Sequence, residues 1–145
     1  MIGQLALISA ALFAGAAIFV NVAEQPARLA LDSPSALLQW QQSYHMAAPM
    51  QSGLALLSAL LGFSAAWLMR DPRWIVGAVL ILANWPYTLI VIKPTNDRLH
   101  ATVPGAANGE TRQLIIAWGR LHAWRSALGV AATAAYLWAQ MSGTG

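Results

Sequence analysis

An all-α, integral-membrane four-helix bundle with up-down-up-down topology is the fold this sequence predicts. Of its 145 residues, 58% are apolar and only 9% charged, against the roughly 25% charged residues usual in soluble domains. The apolar residues gather in four runs, about 2–24, 46–70, 73–94 and 110–140, each long enough for the ~20 residues that cross a bilayer. Connections between the runs are short, which makes sequence neighbours antiparallel. The length suits a single transmembrane domain over 1–145.

Composition also excludes several function classes. The sequence has no cysteine, so disulfides, a thiol nucleophile and Cys-ligated metals are ruled out. Eight basic residues against five acidic ones give a pI near 10, but they are too scattered for a nucleic-acid footprint.

The first run lacks the basic n-region of a signal peptide and outlasts a typical h-region, so it reads as a transmembrane helix. Gly15, Ala16 and Ala17 suit close helix packing. Asn21 and Glu24, three apart, fall on one face. Residues 25–46 read as a loop holding a helix start at Ser33-Pro34, a capping hydroxyl before proline. Trp40 and Tyr44 suit an interface belt, and His45 stands at the junction with the second run. Arg70-Asp71-Pro72-Arg73 is a tight hairpin with Asp71 capping the third helix.

In the third helix Asn84 and Thr88 lie one turn apart, and Pro86 removes an amide donor and predicts a kink. The polar cluster Thr95-Asn96-Asp97-Arg98 follows Lys93-Pro94, with His100 beyond it as an interfacial loop histidine. Residues 101–110 are turn-forming. The last helix carries Trp118, His122 and Arg125 at i, i+4 and i+7, one stripe. With a start near Asn108, His122 lies roughly 20 Å along that helix, a depth at which an ionisable residue is a functional-site candidate. The termini and the Arg70–Arg73 hairpin share one side. Glu24, His45, Asn96, Asp97, Arg98, His122 and Arg125 gather toward the other.

The stretches Gly15…Asn21-x-x-Glu24-x-Pro26-Ala27, Trp85-Pro86-Tyr87-Thr88, Pro94-Thr95-Asn96-x-Arg98-Leu99 and Trp118-x-x-Leu121-His122-x-x-Arg125 resemble the anthrone oxygenase-like family of small four-helix membrane proteins. The resemblance spans nearly the whole chain. It implies the four-helix fold and, for fungal and bacterial members, an association with oxidation of anthrones to anthraquinones during polyketide assembly.

Two chemistries fit these residues. Glu24, His45 and His122 could form a two-His, one-carboxylate site for iron or copper. Without a cofactor, His122 could abstract a proton from an acidic carbon or phenol. Glu24 or Asn96 would then orient it, and Arg125 or Arg98 would stabilise the anion. Trp118, Tyr87, Thr88, Asn84 and Tyr44 are the expected substrate-binding residues. Against these stand bland readings: Glu24 in a helix-end ion pair with Arg98 or Arg125, His122 as a packing residue, Asn84 and Thr88 as interhelical hydrogen bonds.

The expected function is a membrane oxidoreductase that uses dioxygen on a hydrophobic aromatic or quinone-like molecule. The alternative is a non-enzymatic carrier, a lipid or quinone binder, or an assembly partner in a membrane complex. A transporter of this size would need to form a homo-oligomer. The expected partners are the substrate and the lipid bilayer, with no nucleic acid. The location is a bacterial inner membrane, and the basic-residue count places the site-bearing loops in the cytoplasm.

Overall fold

The structure, a computed structural model, describes residues 1–142. Four helical rods make up the described chain: α1 (Ile2–Leu29), α2 (Ser33–Met69), α3 (Arg73–Ala101) and α4 (Gly109–Ser142). One 3-10 turn, Pro104–Ala106, lies in the last connection. The rods form a ring in chain order, α1 and α3 each packing on both α2 and α4. The first three are long and apolar enough to cross a membrane. The fourth carries Arg112, Arg120 and Arg125 in its first half.

Polar sequence does not end these helices where the apolar runs stop. α1 continues to residue 29, α3 to 101, and α2 begins at 33, so the expected loop over 25–46 is mostly helix. Asp32 caps α2, its carboxylate accepting the Ser35 N–H at 2.8 Å, and Ser33 and Pro34 fill the first turn. The cap is therefore Asp32, not the Ser33 hydroxyl. Asn108 Oδ1 serves α4 likewise, accepting from the Glu110 and Thr111 amides at 2.9 and 3.2 Å. In the hairpin Arg70 takes a left-handed conformation at φ 52°. Asp71 accepts the Arg73 amide and clamps its guanidinium, which holds the Asp71 carboxyl below the usual carboxylate range.

Proline shapes α1 and α3 in the same way. A π-helical turn, Val20–Glu24, directly precedes Gln25-Pro26, and a second, Thr88–Ile92, precedes Lys93-Pro94. In each, the residue before proline donates its N–H five positions back, to the Val20 or the Thr88 carbonyl. The wider turn makes room for a ring that would collide with the carbonyl four residues behind. The extra residue turns the end of α1 back by about 100° relative to a regular helix. Asn21 consequently faces α4 while Glu24 swings toward α2, so the two do not share the face their spacing predicts. Pro86 marks a separate break at Ala83, between Arg73–Leu82 and Asn84–Tyr87.

The core has three layers. Trp74 and Tyr136 fill the layer near the termini, where Tyr136 lies against Gly62 and Gly77 and donates to the Ser58 carbonyl at 2.9 Å. Phe13, Ile81 and small alanines form the middle. Trp40, Trp118, Leu99, Ile92 and Ile115 form the third. Gly15 is not at a packing surface, having open space beside it. Close approach occurs instead at Gly119, where a Cβ would sit 2.6 Å from Gln25 Nε2.

Candidate functional site

The site is built on the third core layer, from α4 outward. His122 stacks on Trp118 with ring centroids 4.9 Å apart. Trp118 is fixed in turn, its indole N–H donating to Asn96 Oδ1 at 2.9 Å. Asn96 donates its own amide to the Tyr44 hydroxyl at 2.9 Å, and Tyr44 stacks on Trp40 at 5.0 Å. Both ends of Asn96 are thus used in holding rings. It positions Trp118 and lines neither cavity described below.

Asn21 determines the state of His122. Its amide donates to the Gly119 carbonyl at 2.9 Å, which identifies the other side-chain atom as an acceptor. That Oδ1 receives the Ser126 hydroxyl at 2.8 Å and lies 3.0 Å from His122 Nδ1. An acceptor there requires the proton on Nδ1, leaving the Nε2 lone pair unused by any described residue. His122 is 2% exposed.

His122 lines a small cavity of about 20 Å³ with Glu24, Arg28, Tyr44, Gln51 and Arg125, room for about one water. A second cavity of about 170 Å³ lies between α2 and α3, walled by Ser52, Ala55, Asn84, Trp85, Thr88 and Leu89. Tyr44 and Arg125 line both. Tyr44 accepts from Asn96, so its O–H hydrogen remains free to donate. Arg125 is 6% exposed. It rests on the Phe13 ring at 5.6 Å, its Nε has no partner, and no carboxylate pairs with it among the described residues. In the larger cavity the buried Asn84 Oδ1 and Thr88 Oγ1 are likewise unpartnered.

Other expected site residues lie elsewhere. Arg98 points outward and pairs with exposed Glu110 at 2.7 Å, so it is not in the site. His45 is exposed and lines neither cavity. Among the described residues no three His, Cys, Asp or Glu side chains come together to hold a metal ion. Glu24, His45 and His122 therefore do not assemble as a ligand set. Tyr87 donates to the Leu121 carbonyl at 2.9 Å and packs behind the aromatic layer. His100 is helical, with its ring against Trp40 and Tyr44. Trp40, expected at an interface, is fully buried.

Arg28 and Gln25 were invisible to sequence reasoning as site residues. Arg28 is 1% exposed, lies 5.5 Å from the Trp118 ring centroid, and bonds Gln25 Oε1 at 2.7 Å and Gln39. Glu24 stands 3.7 Å from it and accepts from Ser43 at 2.9 Å. Glu24 thus forms its ion pair with Arg28 rather than with the expected Arg98 or Arg125, alongside its place in the cavity wall.

Residues 40–135 match the profile of the anthrone oxygenase family. The chain belongs to that family. Similar anthrone oxygenases include one from Claviceps purpurea, 30% identical over 87% of this chain and 80% of its own length. Anthrone oxygenase tpcL of Aspergillus fumigatus is 32% identical over 83% and 81%, and nsrD of Aspergillus novofumigatus 30% identical over 66% and 64%. No solved structure matches the chain. The anthrone oxygenase profile spans Tyr44, Asn96, Trp118, His122 and Arg125, and leaves Asn21, Glu24 and Arg28 outside it. These relatives are fungal, so they lend no support to a bacterial inner membrane.

Proposed function

We propose that this anthrone oxygenase family member is a membrane-embedded oxidoreductase acting with dioxygen on a hydrophobic aromatic molecule of the anthrone type. One observation carries the reading. An imidazole whose Nε2 has no partner among the described residues, and a buried guanidinium whose charge has none there, line one cavity.

His122 Nε2 takes a proton from the methylene carbon flanked by two rings, whose conjugate base is an enolate. Arg125 and the Tyr44 O–H stabilise the developing oxyanion, donors held ready in a water-poor setting. The carbanionic carbon then forms a bond to dioxygen, and the resulting peroxide anion takes the proton back from His122 to become a hydroperoxide. Loss of water, with the second hydrogen of that carbon, leaves a carbonyl. One oxygen atom ends in the new carbonyl and one in water. The four electrons lost by carbon reduce the dioxygen, so no external donor enters the balance. Asn21 keeps the imidazole in the required tautomer, Trp118 walls the ring, and Asn84 and Thr88 face the aromatic body from the larger cavity.

Oxygen uptake by the purified protein with anthrone as substrate tests this. Wild type should consume one dioxygen per anthrone oxidised. His122→Gln should lower kcat by about 100-fold or more, within the range general-base catalysis supplies. Near-stoichiometric copper or iron in wild type, lost in His122→Ala, would replace this mechanism with a metal-based one. Tight anthraquinone binding without oxygen uptake would favour the non-enzymatic binder.

A further inference from the structure

The exposed large apolar side chains mark out a band around the bundle. They run from Leu5 to Val22 on α1, Met46 to Met69 on α2, Ile75 to Val91 on α3 and Trp124 to Met141 on α4. At 1.5 Å per residue these stretches are roughly 25–36 Å long, against the ~30 Å hydrocarbon core of a bilayer. Within them the only charged residue is buried Arg125. Charges appear as soon as the band ends: Glu24 on α1, Lys93 on α3 and exposed Arg120 on α4 at one edge, and the Arg70–Arg73 hairpin at the other. Beyond the Glu24 edge all four rods continue as a polar cap, in which Leu31, Leu38 and Val103 are the exposed large apolar residues.

The larger cavity lies within the band except at Tyr44, and the smaller one spans its edge, with Val20, Ala47 and Gln51 inside and Glu24, Arg28 and Ser43 beyond it. Trp85 and Leu89, on the rim of the larger cavity, are 41% and 58% exposed and lie within the band. Glu24 and Ser43, on the rim of the smaller one, lie just outside it. A cavity of about 170 Å³ takes a single ring, since about 150 Å³ accommodates benzene. A tricyclic molecule must therefore extend past Trp85 and Leu89, where the surface is apolar.

We infer that the site straddles the edge of the bilayer, with its larger cavity opening sideways into lipid between α2 and α3 and its smaller cavity opening to the water side beside Glu24. His122 then sits at the headgroup boundary, although it lies far along α4, because the first part of that helix belongs to the cap. Substrate and water have separate doors. The organic molecule arrives from the membrane, and the water formed in the reaction leaves past Glu24. This rests on the membrane-embedded reading above.

The absence of native cysteine makes the test direct. Single variants Leu89→Cys, Val91→Cys, Ser43→Cys and Gln113→Cys are placed in lipid nanodiscs, where both faces are open to reagent. They are then reacted with a charged maleimide and with a lipid-soluble one. The charged reagent should label Ser43→Cys and Gln113→Cys at least 10-fold faster than Leu89→Cys and Val91→Cys, and the lipid-soluble reagent should invert that order. Equal charged labelling at all four positions would overturn the inference, as would protection of Ser43→Cys together with Leu89→Cys. Labelling reads depth without turnover, so anthrone-dependent oxygen uptake by the wild type in matching discs judges the enzyme separately. The expected labelling without uptake removes the enzyme reading alone, and uptake with the wrong labelling removes only the placement.

Discussion

A charged side chain kept from water ordinarily has an opposite charge or a full set of hydrogen bonds close by. Arg125 has a phenyl ring on one side, two cavities on the other, and an unpartnered Nε. Holding it there costs folding free energy, and the return is a cation ready for an anion. Arg125→Met, similar in length and apolar, should raise the stability of the detergent-solubilised protein, on the order of 1–4 kcal/mol by analogy with buried charges replaced by hydrophobes. It should also abolish oxygen uptake. Thermal unfolding beside an anthrone assay checks both, and a lowered midpoint would mean that the guanidinium has a stabilising partner. Its place was legible in the sequence, because Trp118, His122 and Arg125 lie on one stripe of one helix. Arg28 was not, since its partners Gln25, Gln39 and Trp118 come from three rods. Arg98 looked equivalent to Arg125 by composition alone, and only the outward pairing with Glu110 separates them.

Among the elements, α3 and α4 meet at Tyr136, whose ring occupies the space that side chains at Gly62 and Gly77 would need. Gly77→Ala should therefore destabilise the bundle by about 1–3 kcal/mol, the usual effect of overpacking, without altering the far-UV circular dichroism of the residual folded fraction. An unchanged midpoint in chemical denaturation would show that Tyr136 moves aside freely. These glycines carry no local signal in the sequence, since each is explained by a ring from another helix. Helix ends were misread for a related reason. Apolar runs report which residues touch lipid or core, not where backbone hydrogen bonding stops, so the polar ends of α1 and α3 and the start of α2 passed for loops. Capping residues were more informative: Asp71 accepts the Arg73 amide at the start of α3 as expected, and at α2 the cap lies one residue before the expected Ser33, at Asp32.

For the whole molecule, the helix number and ring order followed from composition, run length and short connections, all of which survive small errors in boundaries. The convergence of Asn21, Tyr44, Asn96 and His122 was harder to read, because it depends on how the far ends of α1 and α3 are turned against α2 and α4. Both turned rods lie diagonally across the ring, and each carries its wide turn at the edge of the apolar band. Such a turn stores one residue of spare length. Removing that residue closes the turn into an ordinary helix and leaves everything after it facing as before, whereas a deletion in a regular stretch rotates all that follows by about 100°. Deleting Ala23, exposed within the first wide turn, together with Pro26→Ala to remove the ring that needs the wider turn, should thus give a protein that elutes as a single species in detergent. Deleting Ala11, equally exposed in the regular part of α1, should give aggregate. The chain can lose a residue beside its site more safely than far from it.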